Sequence, residues 1–199
     1  MSADAGPGAL ELRVGNATQT QELAARLGGI LAAGDVLVLS GGLGAGKTTF
    51  TQGLGRGLGV REGIISPTFV LVRIHPNLPD GPRPGGPDLV HADAYRLGSA
   101  ADIDDIDLEN TLDSAVTVVE WGAGRVEHLA ASRLEIELVR ATGAAGAAAS
   151  PGQADGDGGG PVGDSSRGDG DDDDEPRVLR IRPVGPRWAG VDVASVLLQ

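Results

Sequence analysis

The chain has 199 residues, 40% of them hydrophobic, with a formal net charge of −12 at pH 7. This length suits one domain with one core, which we expect over residues 10–199 after a flexible N-terminus at residues 1–9. The chain has no cysteine, which excludes disulfides and thiolate metal sites, and neither an export signal nor a bilayer-spanning apolar run occurs in it. We therefore expect a soluble cytoplasmic protein without a membrane partner.

The first expected elements are a strand from Leu10 to Val14 and an amphipathic helix from about Thr20 to Ala33. We expect the helix to begin at a threonine cap, Thr18 or Thr20. A hydroxyl there can accept a hydrogen bond from the free N–H groups of the first turn.

A glycine-rich loop follows, between a second strand and a second helix. Asp35 to Ser40 has the apolar, β-branched character of a buried parallel strand, and Lys47 to Leu58 has a helical pattern that ends in glycines. Between them is the motif Gly-x-x-x-x-Gly-Lys-Thr, in a stretch made of Gly41, Gly42, Leu43, Gly44, Ala45, Gly46, Lys47, Thr48 and Thr49. The motif is the phosphate-binding P-loop, whose main-chain N–H groups hold nucleotide phosphates while the Thr48 hydroxyl reaches Mg²⁺.

Lys47 is the only lysine of the chain, and every other basic side chain apart from histidine is an arginine. A compact ammonium fits between phosphate oxygens where a planar guanidinium is too wide, so Lys47 has a chemical role that arginine does not fill. The usual reader of guanine, Asn-Lys-x-Asp, also needs a lysine. Because the single lysine is committed to phosphate, the sequence favours an adenine nucleotide.

The segment after the P-loop helix contains Ser66-Pro67-Thr68, then a β-rich run from Phe69 to Ile74 and an exposed loop from Pro76 to Pro87. P-loop hydrolases often place a mobile segment here, whose hydroxyl senses Mg²⁺ and the γ-phosphate. Ser66 and Thr68 are candidates for that role.

Two further expected strands end in carboxylates: Leu89 to Asp93, and Ala115 to Glu120, with an acidic helix expected over residues 101–112 between them. Ligands of open parallel sheets bind beyond the carboxyl ends of the strands. Glu120 occupies the place of a Walker-B-type acid that holds Mg²⁺, or else caps the next helix. Asp93 either orients the attacking water, contacts Mg²⁺ or caps a turn.

Four other side chains lie near these acids in the sequence or on the same strands. Arg96 and Arg125 could neutralise phosphate charge, although a solvated arginine is the commoner outcome. We expect His91 to be a packing residue of its strand rather than a base. For Trp121 we expect a core position rather than a stacking platform.

The last expected strands, Arg133 to Arg140 and Arg177 to Pro183, form a hairpin, and a short helix is expected within residues 188–199. The tract between them, residues 141–176, contains nine acidic residues and one arginine and has almost no large apolar side chains. Such a composition predicts a disordered insertion, or alternatively an acidic docking segment. The rest of the chain is only mildly acidic and has no arginine cluster dense enough to bind nucleic acid alone.

The motifs together resemble the TsaE (formerly YjeE) family of small bacterial ATPases required for threonylcarbamoyladenosine formation in tRNA. The resemblance rests on four segments in the family's order and approximate spacing: residues 41–50, Ser66-Pro67-Thr68-Phe69, His91-Ala92-Asp93-Ala94-Tyr95-Arg96-Leu97 and Val119-Glu120-Trp121. It covers about residues 10–140, with a weaker match at residues 177–183. The chain departs from the family at Ala123, where an acid is frequent, and at the long insertion.

The resemblance implies a P-loop α/β fold with three layers, a mostly parallel central sheet and a C-terminal β-hairpin. It also implies hydrolysis of ATP with Mg²⁺ in a complex with TsaB and TsaD, where TsaD transfers the threonylcarbamoyl group and tRNA is contacted only through the complex. We expect the hydrolysis to be slow alone and stimulated by the partners, because no residue is clearly placed as an arginine finger or a water-positioning amide. Carried over by position, Lys47, Asp93 and Glu120 are catalytic, and Thr48 and Glu120 hold the metal. Thr20 and Arg177 align with family residues near the nucleotide.

Two other functions remain open from the residues. A small-molecule kinase shares the P-loop but normally needs an arginine-rich lid, and no segment of this sequence is a convincing lid. A nucleotide-dependent binding switch would use the same loop without meaningful hydrolysis.

Overall fold

A computed structural model of the chain describes residues 9–97, 102, 108–141 and 175–198. The expected flexible N-terminus therefore lies outside the described residues, apart from its last residue. The same holds for most of the expected acidic helix at residues 101–112 and nearly all of the expected insertion at residues 141–176. No helix in the described ranges is long and apolar enough to cross a membrane.

Seven strands and four α-helices are described, together with one 3₁₀ turn at Pro186–Trp188. The strands are β1 (Leu10–Val14), β2 (Val36–Ser40), β3 (Val72–His75), β4 (Asp88–Asp93), β5 (Ala115–Glu120), β6 (Arg133–Arg140) and β7 (Arg177–Val184). The helices are α1 (Ala17–Ile30), α2 (Lys47–Leu58), α3 (Glu109–Leu112) and α4 (Val193–Leu197).

The strands form one sheet in the order β1-β7-β6-β2-β5-β4-β3. The middle of the sheet is parallel, since β2 pairs in parallel with β5 and β6, and β5 pairs in parallel with β4. The edges are antiparallel: β3 pairs with β4, and the hairpin of β6 and β7 is extended by β1. The expected mixed α/β fold with a mostly parallel centre and a C-terminal hairpin is confirmed.

The two faces of the sheet are covered unequally. Helices α1, α2 and α4 lie on one face, where Phe50, Leu54 and Leu58 pack on strand residues such as Leu37 and Leu39. On the other face the described cover is shorter, with Leu108 of the turn before α3 and Val126 of the loop after β5 packed on strands β2, β4 and β5. The thick helical layer contains α2 and packs on β2, and these two elements flank the glycine-rich loop.

Two boundaries differ from the sequence-based expectations. Helix α1 begins three residues before Thr20, and its cap is Asn16 rather than a threonine: Asn16 Oδ1 accepts from the N–H of Gln19 at 2.9 Å. The β-rich run does not begin at Phe69, because residues 67–71 form turns in which the N–H groups of Val70 and Leu71 donate to the carbonyl of Pro67. Strand β3 therefore starts at Val72.

Helices α1 and α2 pack backbone against backbone. A Cβ added at Gly57 of α2 would lie 2.0 Å from the carbonyl oxygen of Ala25 in α1. At Gly29 of α1, by contrast, an added Cβ meets nothing within 4 Å. The same substitution should therefore have opposite effects at the two helical positions.

We expect Gly57→Ala to lower the free energy of unfolding by about 1–3 kcal/mol, because the methyl group forces the helices apart. Gly29→Ala should raise it by about 0.5–1 kcal/mol, because alanine restricts the unfolded chain and favours the helix. Urea unfolding of both variants measures the difference. A stabilised Gly57→Ala protein would contradict the close packing of the helices.

A second prediction concerns the connection between β6 and β7. The ladder runs without a break to the pair of Arg140 and Arg177, and Ala141 N–H donates to the carbonyl of Pro176 at 2.9 Å. Since the two ends of the connection are adjacent, replacing residues 143–174 by a short glycine turn should change the free energy of unfolding by under about 1 kcal/mol, a few degrees in Tm. A large loss of Tm in calorimetry would show that the tract packs on the domain.

Candidate functional site

The parallel strands bring the expected site residues to one edge of the sheet. The P-loop follows β2, Asp93 ends β4 and Glu120 ends β5, and because these strands are parallel their carboxyl ends coincide. Asp93 and Glu120 are direct partners in the register of β4 and β5. Strand β7 runs the opposite way, so its first residue, Arg177, also lies at this edge. The expectation that two strands deliver their acids to the P-loop edge is confirmed.

Three glycines of the P-loop occupy positions where a side chain would be strained or would clash with neighbouring atoms. Gly41, Gly44 and Gly46 have φ values of 135°, 70° and 97°. A Cβ at Gly41 would lie 2.3 Å from the carbonyl oxygen of Leu138. Gly46 is the N-cap of α2 and has no side chain to bond the first turn. The N-terminus of α2 therefore presents main-chain N–H groups that can bind an anion.

Lys47 is folded back onto its own loop. Its side chain is 5% exposed, and Nζ donates to the carbonyl oxygens of Gly41 and Gly42 at 3.0 and 2.9 Å. Nζ also lies 3.8 Å from the centroid of the Trp121 ring, a cation–π distance. Burial lowers the pKa of the Lys47 ammonium from its usual value, while the charges of Glu120 and Asp93 oppose that shift.

Thr48 and Glu120, the two expected metal ligands, are brought together. Thr48 Oγ1 donates to Glu120 Oε1 at 3.1 Å, and Glu120 is 3% exposed. The same carboxylate oxygen lies 2.9 Å from Nε2 of His91, which is fully buried. His91 was expected to be a packing residue of its strand rather than a base; it is fully buried in β4, and its imidazole also contacts the site acid. The period-two alternation of β4, which puts His91 and Asp93 on one face, was the available signal.

Asp93 is occupied by protein donors at both oxygens. Oδ1 accepts from the N–H of Tyr95 at 2.8 Å. Oδ2 accepts from Thr68 Oγ1, and Ser66 Oγ lies 3.5 Å away from it. Ser66 Oγ and Thr68 Oγ1 are also hydrogen-bonded to each other at 2.7 Å. The turn that shortens β3 thus places both expected hydroxyls against the acid that ends β4.

A cleft of about 400 Å³ opens between these elements. Its lining includes most of the P-loop and residues from four other segments: Ala17, Leu43, Gly44, Ala45, Gly46, Lys47, Thr48, Thr49, Ser66, Thr68, Glu120, Trp121 and Arg177. Trp121 is half-buried with φ 60°, and Tyr95 packs on it at 5.2 Å between ring centroids. The expectation that Trp121 is a core residue is therefore wrong, since it forms a wall of the cleft.

Two nucleotide-binding residues were expected outside the P-loop, and of these Arg177 lines the cleft whereas Thr20 does not. Arg177 is buried and borders the P-loop, where a Cβ at Gly46 would lie 3.2 Å from its Nε. Thr20 is buried in α1 with Oγ1 donating to the carbonyl of Asn16 at 3.0 Å, and the residue of this helix that lines the cleft is Ala17. Sequence reasoning missed Ala17, because alanine at the start of a helix carries no chemical signal.

The two candidate arginines do not line the cleft. Arg125 Nη1 donates to the carbonyl oxygens of Ala94 and Leu97, both at 2.6 Å, and so ties the loop after β5 to the segment after β4. Arg96 is exposed, with its guanidinium carbon 4.8 Å from the ring centroid of Phe69. Neither is placed to neutralise a phosphate in this arrangement.

The chain is similar in sequence to known proteins. Residues 14–146 match the sequence profile of the family described as threonylcarbamoyl adenosine biosynthesis protein TsaE. Over 124 residues the chain is 54% identical to the tRNA threonylcarbamoyladenosine biosynthesis protein TsaE of Streptomyces coelicolor, covering 62% of this chain and 80% of the relative. The protein of that name from Bacillus subtilis is 37% identical over 133 residues, which are 66% of this chain and 78% of the relative.

A solved structure has the same fold. The crystal structure of Bacillus subtilis YdiB superposes with a TM-score of 0.61 at 29% sequence identity. The match covers 96% of this chain and 94% of the YdiB chain.

The close contacts of Lys47 Nζ predict that a positive charge alone is not sufficient for nucleotide binding at this position. Because Nζ fits between two carbonyl oxygens and the Trp121 ring, we expect Lys47→Arg to weaken ADP binding nearly as much as Lys47→Ala, at least tenfold, which is about 1.4 kcal/mol. Isothermal titration measures the affinity. The control is Arg56→Lys, an opposite exchange on the exposed face of the same helix, which should leave it unchanged. Near-normal affinity of Lys47→Arg would show that the loop needs only a positive charge.

Proposed function

Because this chain belongs to the TsaE family of threonylcarbamoyl adenosine biosynthesis proteins, we propose that it is a Mg²⁺-dependent ATPase that supports threonylcarbamoyladenosine formation in tRNA. Its partners in this proposal are TsaB and TsaD, and tRNA is contacted only through their complex. The observation that carries the proposal is the contact of Thr48 Oγ1 with Glu120 Oε1 at 3.1 Å beside the P-loop.

The loop fits the phosphates of a nucleotide. Its three positive-φ glycines take a backbone conformation that other residues rarely adopt, and the first turn of α2 has no side-chain cap on its N–H groups. Lys47 within the loop and Arg177 beside Gly46 add positive charge to the cleft. In the proposed complex Lys47 exchanges its two carbonyl contacts for phosphate oxygens, which are stronger acceptors of an ammonium proton.

The donor set also fits magnesium. A threonine hydroxyl and a carboxylate are hard oxygen ligands, and Mg²⁺ is commonly held by one or two such groups together with phosphate and water. Thr48 and Glu120 would hold it here. When bound, the ion neutralises charge on the transferred phosphoryl group. In the described ranges no group of three or more His, Cys, Asp or Glu side chains is placed to bind a metal without such help.

The two acids have different tasks in this proposal. Oε2 of Glu120 accepts no hydrogen bond from the described residues, so this oxygen is available to a metal ligand sphere or to the attacking water. Both oxygens of Asp93 are already occupied, which suits an anchor for Ser66 and Thr68 at the edge of the cleft. Loss of either acid should therefore impair hydrolysis, Glu120 directly and Asp93 through the turn that it holds.

The mouth of the cleft supports a role for protein partners. Large side chains stand exposed around it, with Leu43 91%, Phe69 83% and Tyr95 61% accessible. Leu43 belongs to the P-loop, Phe69 follows Thr68, and Tyr95 follows the strand that ends in Asp93. Exposed apolar groups so close to a polar site are typical of a surface that a protein covers. In this proposal TsaB and TsaD cover the surface, and their contact supplies the groups that complete a slow site.

Phosphate release from ATP tests the proposal, measured for the chain alone, with TsaB and TsaD, and with Mg²⁺ chelated. We expect slow release alone and at least a tenfold rise with the partners, equivalent to about 1.4 kcal/mol of barrier. Glu120→Ala should abolish the rise but retain ADP binding through the P-loop. Chelation should abolish release in every mixture.

Other outcomes favour the other functions. Turnover that depends on a small metabolite rather than on TsaB and TsaD would indicate a kinase. Tight nucleotide binding without release in any mixture would indicate a switch. Release by the isolated chain as fast as by the mixture, or a Glu120→Ala variant that is still stimulated, would contradict the partner-completed site.

A further inference from the structure

His91 is a buried polar side chain on a central strand that the proposed function does not yet use. It is fully buried in β4, and its neighbours on the same face of the sheet are Leu89, two residues before it, and Val118, its partner in β5. The face is covered by α2, since the residues of that helix and Leu89 belong to one apolar core. An aliphatic side chain would suit this environment.

The hydrogen bonds of the imidazole are incomplete. Nε2 lies 2.9 Å from Oε1 of Glu120, and Nδ1 is buried without a hydrogen-bond partner among the described residues. A buried polar atom without a partner costs stability. Since a carboxylate oxygen only accepts, the proton of the contact belongs to Nε2. Nδ1 thus has no hydrogen-bond partner among the described residues, while Nε2 donates to the carboxylate of Glu120.

We propose that His91 is a positioning residue for Glu120. Together with Thr48, its Nε2–H holds Oε1 in place, so that Oε2 is the oxygen left for the metal or the attacking water. The inference rests on the proposed function and names a residue that this function requires behind the carboxylate. Partners of ligating groups in this kind of arrangement typically change metal affinity or activity about 10–100-fold when removed.

The chain contains a matched control. His75 of β3 is also buried, lies on the same face of the sheet with its ring centroid 6.3 Å from that of His91, and has an unpartnered Nε2. In the part of the chain that the structure describes, the hydrogen-bond donors to Glu120 and Asp93 do not include His75. A general effect of removing a buried imidazole from this face should appear equally at His75 and His91.

The test compares His91→Gln, His91→Asn, His91→Leu and His75→Leu in the full chain. Glutamine places an amide N–H near the position of Nε2, asparagine carries the same group but is too short, and leucine has no donor. Three quantities are measured: ATP turnover with Mg²⁺, TsaB and TsaD; ADP affinity with and without Mg²⁺; and Tm.

We expect His91→Leu and His91→Asn to lower turnover and the Mg²⁺-dependent gain in ADP affinity about tenfold or more. His91→Gln and His75→Leu should remain within about threefold of the wild type, since the first keeps the donor and the second never had the contact. ADP affinity without Mg²⁺ should be the same in all variants that fold, because the P-loop is unchanged. The loss of turnover should not correlate with the change in Tm among the variants.

A measurement on the unsubstituted protein tests the inference even if the variants do not fold. Histidine ¹⁵N shifts of the nucleotide-free chain should show His91 with its proton on Nε2. A proton on Nδ1 alone would overturn the inference. Wild-type turnover in His91→Leu, or a His91→Gln variant as impaired as His91→Leu, would overturn it too. A wild-type chain that hydrolyses no ATP with its partners overturns the proposed function, and the inference with it.

Discussion

Parallel hydrogen bonding between β2, β5 and β4 is the constraint on which the site depends. It aligns the carboxyl ends of three strands that are far apart in sequence, so that the loop after β2 faces Glu120 and Asp93. A shift of one residue in the register would turn one acid to the opposite face, because side chains alternate along a strand. The buried apolar residues on both faces oppose such a shift, so the core that stabilises the sheet also sets the positions of the two carboxylates.

The site gathers charges that are costly to bury. Lys47, Asp93 and Glu120 are all nearly inaccessible, and each is compensated by partners of the protein: carbonyl oxygens for the lysine, hydroxyl and amide donors for the aspartate, and a hydroxyl and an imidazole for the glutamate. Unpaired, any of these groups would destabilise the fold. The lysine contacts are made with the P-loop itself, so their proposed exchange for phosphate oxygens would need no rearrangement of the sheet.

Supporting elements restrict the same region from outside. The close approach of α1 and α2 at glycine positions seats the P-loop helix against the sheet, and the hairpin of β6 and β7 places Arg177 next to Gly46. Arg125 ties the loop after β5 to the segment after β4, a structural task that its sequence position does not reveal. The large side chains at the mouth, Leu43, Phe69 and Tyr95, are exposed, as the proposed contact with a protein partner requires.

Much of this arrangement follows from the sequence alone. The motif around Lys47, the apolar runs of β2 and β5, and the acids at the ends of two strands determined the fold class, the P-loop and the pairing of Thr48 with Glu120, because each depends on local pattern and on the one rule that parallel strands share an edge. The tertiary structure alone decided two other features. His91 contacts Glu120 through the pairing of β4 with β5, and Trp121 forms a wall of the cleft through a positive φ. The first depends on where two distant segments meet and the second on a backbone angle at a single residue, and neither quantity is encoded in a local pattern of side chains.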